Sequence, residues 1–481
     1  MKKISLILMT SLLALTSCSS VSSTVKDSDQ TTNNINEVES NTDTESESGD
    51  ITLTYLASSQ IFDAEAKLIE DFNTADNGYK IEVISYSDMY EYTPLEGDPD
   101  FIGNPTDDSV RNVRISMMQA ISSGKIDIIS NDAVDIPTFN IFMEQGAFVD
   151  LYDFMENDPE INTSTLDAHI LEAYETNGKL YCYPMLYGFR TLYGFPEYVG
   201  TKENLSVDEF IELWGNMPEG ATICGHNTQR YIYLRVLSEQ FGSFVDYKTG
   251  KVTFDSPEFI KLLEFCGSFY PDNGEKQIAD YDAVNMALVG SAASFSSFCR
   301  LCRDSYSLTE DHEVTFIGYP SDCGRNAFLT SLYANLAINS QTSAKKQKGA
   351  WEYIRLLSSE EYQYDLGTFY DRDMDRTIQK GFPINHAAYD RILEDHMSGK
   401  IDGSSYTAGG VAYESEIITL EEAERLKNYV NSINAIDNPL DSDLSEMLEE
   451  ETLLYFNGAQ SAEQTAMMLQ NRAEIYISEL Q

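Results

Sequence analysis

The chain has 481 residues, with 32 Lys plus Arg against 79 Asp plus Glu and a formal net charge of −47 at pH 7. A surface of that charge repels nucleic acid and anionic lipid alike, which excludes a nucleic-acid-binding role, and its acidity reads as a solvated, repulsive exterior and not as a metal-binding device. Seven cysteines in a chain of this length make no disulfide framework.

The N-terminus opens with Met1-Lys2-Lys3, an apolar run from Ile4 to Leu15, and Thr16-Ser17-Cys18. A positive start followed by an apolar stretch too short for a permanent membrane-spanning helix predicts an export signal over residues 1–17. Leu15-Thr16-Ser17-Cys18 resembles a bacterial lipobox, which implies acylation of Cys18 and retention at the extracytoplasmic face of the cell membrane; a plain signal peptide with a chance cysteine is the alternative. From there to Asp50 the chain is almost entirely Ser, Thr, Asn, Asp and Glu, too polar to offset its ordering entropy, so residues 18–50 are expected to form a disordered linker. The remainder, about 430 residues, exceeds the size at which single cores divide, and two lobes are expected.

Ile51 to Leu56 alternates as a strand, Asp63 to Phe72 carries apolar residues at helical spacing, and Ile81 to Ile84 returns as a strand after the Asn77-Gly78 turn, predicting a βαβ opening. Open α/β sheets bind ligands beyond the carboxyl ends of their strands, which singles out Ser59 and Gln60. Val110 to Ile121 is expected to be helical. Ile126 to Ile129 is the next buried strand and runs into Asn131 and Asp132, which either bond a ligand or cap their own turn. Asn177-Gly178 predicts a tight turn, Leu180 to Tyr183 a short strand, and Pro184 the end of its pairing, where the chain either leaves one lobe for the other or runs on from an edge strand into an ordinary loop. Tyr187, Phe189 and Arg190 follow directly, placed at a hinge, with packing beneath that hinge as the alternative for the aromatics.

Further on, Ser206 to Glu209 forms a capping box, Asp246 to Phe254 reads as a hairpin, and Ser256-Pro257 starts a helix. Phe316 to Pro320 and Gly381 to Asn385 repeat the proline-ended pattern, predicting two further crossings. Both tryptophans, Trp214 and Trp351, lie on apolar helical faces and are expected in the core. The Cys299-x-x-Cys302 pair lacks a second Cys or His pair, so buried thiols are expected there. No G-x-S-x-G, H-E-x-x-H, P-loop or dinucleotide fingerprint occurs, and Asp371, Asp373 and Asp375 fail as a calcium loop because Arg376 takes the glycine position. No cofactor, metal or catalytic residue is assigned, although paired carboxylates of a surface hydrolase are not excluded by pattern alone.

The lipobox, the Asn177 to Pro184 run, the Asp246 to Phe254 hairpin with Asp255-Ser256-Pro257, Trp351-Glu352-Tyr353-Ile354, and Tyr455 to Gly458 followed by Ser461-Ala462-Glu463 together resemble family 1 extracellular solute-binding lipoproteins of ABC importers. The resemblance implies an α/β, two-lobed periplasmic-binding-protein-like fold of type II. Its lobes would be joined by three crossings, with a ligand trapped between them and no chemistry performed. It implies permease subunits as partners, a monomeric receptor, and a mono- or oligosaccharide as the leading ligand class, with a non-sugar solute or a carbohydrate-active hydrolase as alternatives. The absence of a ligand-facing tryptophan departs from many sugar-binding members. On this reading the lobes are 51–183 with 320–381 and 184–319 with 382–481. The ligand-binding candidates are completed by Asn227, Ser296, Phe298 and Tyr333.

Overall fold

The computed structural model describes residues 49–57, 61, 63–85, 90, 92–95, 98–133, 136–246, 249–271, 284–303, 313–332, 335–372, 376–401, 406–408, 411–413, 417–437, 440 and 442–480. Residues 1–17 and Cys18, Ser59, Gln60 and Tyr333 lie outside the described residues, as does most of the Asp371–Asp375 run. Two sheets organise the fold.

In the first sheet, Ile51–Ala57 is central, parallel to Tyr79–Ser85 on one side and to Ile128–Ser130 on the other. Leu336–Ile338 closes the far edge antiparallel to Ile128–Ser130. The helices Asp63–Thr74 and Asp107–Ser122 supply the crossovers that parallel pairing requires. Alternation sorts the side chains: Leu53, Tyr55 and Ile128 face a core with Leu68, Phe72 and Tyr353, while Leu56, Ile129 and Ala337 face Met117, Ile121 and Phe142. Asp127, fully buried, accepts the Thr54 N–H at 2.8 Å and Lys346 Nζ at 3.0 Å, tying the helix Ala344–Leu357 to the sheet.

The second sheet runs Phe328–Ser331, Leu186–Tyr193, Asn285–Ala292, Thr222–Ile223, with Phe382–Pro383 added against Leu186 and Tyr187. Helices Val207–Gly215, Pro257–Gly267 and Ala462–Leu480 cover one face. Their starts follow the local chemistry of the sequence. Ser206 and Glu209 complete the capping box, the Ser256 side chain caps ahead of Pro257, and Ser461 and Gln464 exchange bonds of 3.0 and 3.2 Å. Trp351 is buried, stacked on Phe154 and donating to Asp158 Oδ2 at 2.7 Å; Trp214 packs against Phe265 and Phe269.

The passages between the sheets lie side by side. Tyr183 exchanges two backbone bonds with Leu336 of the first sheet, at 2.8 and 3.1 Å, and after Pro184 the chain enters the second sheet at Leu186. The return does not fall at Phe316–Pro320. That segment follows the Thr315–Gly194 bridge, its Gly318 N–H donates to Leu192 O at 2.9 Å, and it stays with the second sheet, as do Phe328–Ser331. The chain regains the first sheet only at Leu336, so the boundary expected at 320 moves past Ser331: proline ends ladder pairing but does not decide which sheet follows. The third passage reaches Phe382, and Gly381 sits so close to the other two that a Cβ there would lie 2.9 Å from Leu186 Cβ and 3.1 Å from Leu332 Cδ1.

Candidate functional site

Two adjoining hollows, about 650 and 330 Å³, open beside the second sheet and share Glu239, Gly242 and Asp437 in their walls. Asn140, on the helix Ile136–Glu144 that follows the first sheet's strand Ile128–Ser130, borders the larger one, so the space faces both lobes. Pockets of this size are typical of small-molecule sites.

The wall is an irregular helix. Residues Gln229–Ile232 are α-helical, Tyr233–Leu237 form a π-helical turn, and Ser238–Ser243 tighten to 3₁₀ geometry. Side chains compete for the carbonyls of this segment: Ser238 Oγ donates to Leu234 O at 2.7 Å and Gln240 Nε2 to Val236 O at 2.6 Å. Wide helical turns of this kind recur at functional sites. Here the change of pitch presents Ser238, Glu239 and Gly242 to the hollows.

Arg190 borders the smaller hollow. Strand alternation buries Tyr187, Phe189 and Thr191 on the opposite face and leaves Arg190 beside Phe328 of the neighbouring strand, its guanidinium carbon 5.3 Å from that ring and 6.0 Å from the Tyr319 ring. Its Nη1 donates to Glu239 Oε2, and its Nη2 donates to the Glu239 carbonyl at 2.9 Å and to Asp437 Oδ1 at 2.8 Å. Asp437 is held in place by its backbone, which runs parallel to Phe328–Ser331: its N–H donates to Leu329 O at 2.7 Å. Burial pushes the Asp437 carboxyl above the usual carboxylate range; Arg190 opposes that shift and Glu239 adds to it. Arg190 Nε, the Tyr319 hydroxyl and Ser243 Oγ, the last on the wall of the larger hollow, are buried polar atoms without a protein partner.

The predicted residues divide. Arg190 lies in the cleft. Asn131 sits beside the inter-sheet passages, where its side chain accepts the Asn335 N–H at 2.8 Å while its own N–H donates to Asn335 O at 2.9 Å, so it is engaged in holding the backbone. Asp132 is exposed at the same strand end and accepts from Ser130 Oγ. Asn335 Nδ2 continues the network to Ser331 Oγ at 3.1 Å, which meets the Tyr174 hydroxyl at 2.8 Å. Asn227 precedes the irregular helix with Oδ1 buried and without a partner, outside the walls of both hollows.

Three aromatic expectations are corrected. Phe189 and Phe298 are fully buried and meet edge to face at 6.3 Å. Tyr187 is 4% exposed, with its ring 5.6 Å from Phe382. These are the packed underside of the passages, with no open face for a ligand. Ser296 is corrected too: it is buried and receives a hydrogen bond from His396 Nε2 at 2.8 Å. The Ile418 N–H donates to His396 Nδ1 at 3.3 Å, which leaves the proton on Nε2, so the imidazole is a donor to Ser296 and not the base that a serine nucleophile requires. Glu239, Asp437 and Ser243 escaped the sequence reading, since they come from distant segments and carry no local motif.

Cys182, Cys266, Cys299 and Cys302 are buried thiols, Cys224 is half-buried with its thiol pushed up to about 12 by burial, and Cys323 is exposed. Among the described residues no three His, Cys, Asp or Glu side chains gather as a metal site, and no helix is long and apolar enough to cross a membrane.

Two α/β lobes with a polar cleft beside the passages that join them define a two-lobed binding protein of the periplasmic solute-receptor type. The chain belongs to the bacterial extracellular solute-binding protein family, whose model matches residues 114–372. Solved structures of the same fold include a periplasmic oligogalacturonide binding protein from Yersinia enterocolitica, at 13% identity and a TM-score of 0.54, covering 89% of this chain and 100% of that one. The sugar-binding protein MalE from Xanthomonas citri matches at 11% identity and a TM-score of 0.50, over 89% and 98%. A de novo designed cysteine esterase shares the fold at 13% identity and a TM-score of 0.54, over 89% and 98%. No curated protein matches the chain in sequence.

Proposed function

We propose that this protein is the receptor of an ABC importer, anchored by a lipid on Cys18, and that it captures a mono- or oligosaccharide between its lobes and delivers it to the permease. The observation that carries the reading is the cleft itself, about 650 Å³ extended by a further 330 Å³, polar-walled and reached from both lobes. Space of this size accommodates more than one sugar ring, and hydroxyl-rich ligands require carboxylate, amide and guanidinium partners of the kind found there. The named ligands of fold relatives, an oligogalacturonide and the sugar of a MalE protein, support a carbohydrate class.

On this proposal the lobes are 51–183 with the segment from Leu336 to Gly381, and 184–331 with 382–481. They close as a monomer by flexing at the three passages around Leu186, Leu332 and Gly381. A panel of mono- and oligosaccharides tests the reading by thermal melting together with product analysis. A rise in melting temperature with the sugar recovered intact is the expected result; no shift with any sugar, or release of cleaved product, counts against it.

A further inference from the structure

Arginine is the side chain best matched to a ligand carboxylate, since its planar fork offers two parallel donors. In this cleft the fork is already engaged. Arg190 directs Nη1 and Nη2 to Glu239 and Asp437, and the two acids bind it from different segments, one on the irregular helix and one on the strap beside Phe328. Both acids border both hollows, whereas Arg190 borders only the smaller one, so a ligand in the larger space meets these carboxylates without the guanidinium.

The other cations do not reverse this. Arg325 donates Nη1 to the Ser243 carbonyl at 2.9 Å, and Lys251 stands opposite Asp246 in a short antiparallel pair on the rim. Among the described lining residues of the two hollows, five carboxylates (Glu239, Asp246, Glu258, Asp437 and Glu449) face three cations (Arg190, Lys251 and Arg325), a net charge of −2. Sugar hydroxyls donate readily to carboxylates, whereas a uronate placed there adds like charge in a partly desolvated space.

We infer that the Glu239–Arg190–Asp437 arrangement is a charge-selectivity device, which admits uncharged oligosaccharides and rejects uronate-bearing ones. The inference rests on the carbohydrate reading of the cleft and narrows it: the fold shared with an oligogalacturonide binding protein does not carry that ligand's charge over to this chain.

The test is calorimetric titration of the mature chain with a panel of neutral oligosaccharides and with oligogalacturonides of matched length. The wild type is expected to bind at least one neutral oligosaccharide and no oligogalacturonide. Replacing Glu239→Gln and Asp437→Asn together leaves Arg190 without its carboxylate partners, and oligogalacturonide affinity is expected to rise at least about tenfold, to weaken with added salt, and to disappear when Arg190→Met is added. If the double variant does not fold by circular dichroism, Glu239→Gln alone shows the same gain at smaller size. Oligogalacturonide binding by the wild type, or no gain in a folded variant, overturns the inference while leaving the carbohydrate reading intact. Failure of every oligosaccharide to bind either form overturns the inference and removes oligosaccharides from that reading.

Discussion

Glu65 offers a sharp test of the packing in the first lobe. It is 4% exposed on the helix Asp63–Thr74, and its Oε1 accepts the Tyr55 hydroxyl at 2.9 Å and the Tyr353 hydroxyl at 3.3 Å. Burial raises its carboxyl from the usual 4.5 to about 7, the two tyrosine hydroxyls pull it down, and the nearby Asp132 charge adds to the rise. The folded protein therefore holds a proton that the unfolded chain releases. Glu65 costs nothing below the unfolded value, its stabilising contribution is lost as pH rises from there to about 7, and above that the penalty is full. The interval between 4.5 and about 7 corresponds to about 3 kcal/mol. Glu65→Gln keeps the shape and the acceptor for both tyrosines and removes the ionisation. Urea unfolding at about pH 5 and about pH 8 is expected to show the variant gaining on the wild type by up to about 3 kcal/mol at the higher pH, with little difference at the lower. Parallel pH profiles for the two proteins would refute the assignment of a neutral, buried carboxyl.

The remaining expectations concern the passages and the anchor. Tyr187→Ala removes a ring buried against Phe382 and is expected to destabilise the empty protein by about 3–5 kcal/mol, read as a fall in urea midpoint; an unchanged midpoint would return Tyr187 to the cleft. Gly381→Ala places a Cβ within 3.1 Å of Leu186 and Leu332 and is expected to cost about 1–3 kcal/mol by overpacking, whereas a neutral result would mean that the three passages are not tightly apposed. Cys18→Ala is expected to move the protein from the membrane fraction to the soluble exported fraction, and retention on membranes after a salt wash would remove the lipid anchor.

Much of the frame was legible because it is written in local chemistry. The Asn77-Gly78 and Asn177-Gly178 turns put Gly78 and Gly178 at positive φ, and the caps at Ser206, Ser256 and Ser461 open helices where the pattern placed them. Pro184 stands where the chain leaves the first sheet, yet Pro320 marks no such passage, because a proline reports the end of pairing and not the destination of the chain. The site was less legible for a related reason. Period-two alternation groups Tyr187 with Phe189 and sets Arg190 opposite, but whether the aromatic face is cleft or core depends on Phe298, Phe316 and Phe382, which arrive from distant parts of the chain. Glu239 and Asp437 meet on Arg190 across 198 residues of sequence, one on a helix of changing pitch and the other on a strap fixed by a single bridge at Leu329–Ile436. Neither leaves a signature in its own neighbourhood.

The most direct test of the account is native mass spectrometry of the freshly purified protein, followed by release and identification of whatever it carries. The account predicts one ligand per chain, an uncharged mono- or oligosaccharide released intact, with its binding weakened when Arg190, Glu239 or Asp437 is replaced. A non-carbohydrate ligand, a uronate-bearing glycan, or a sugar whose binding survives all three replacements would contradict it.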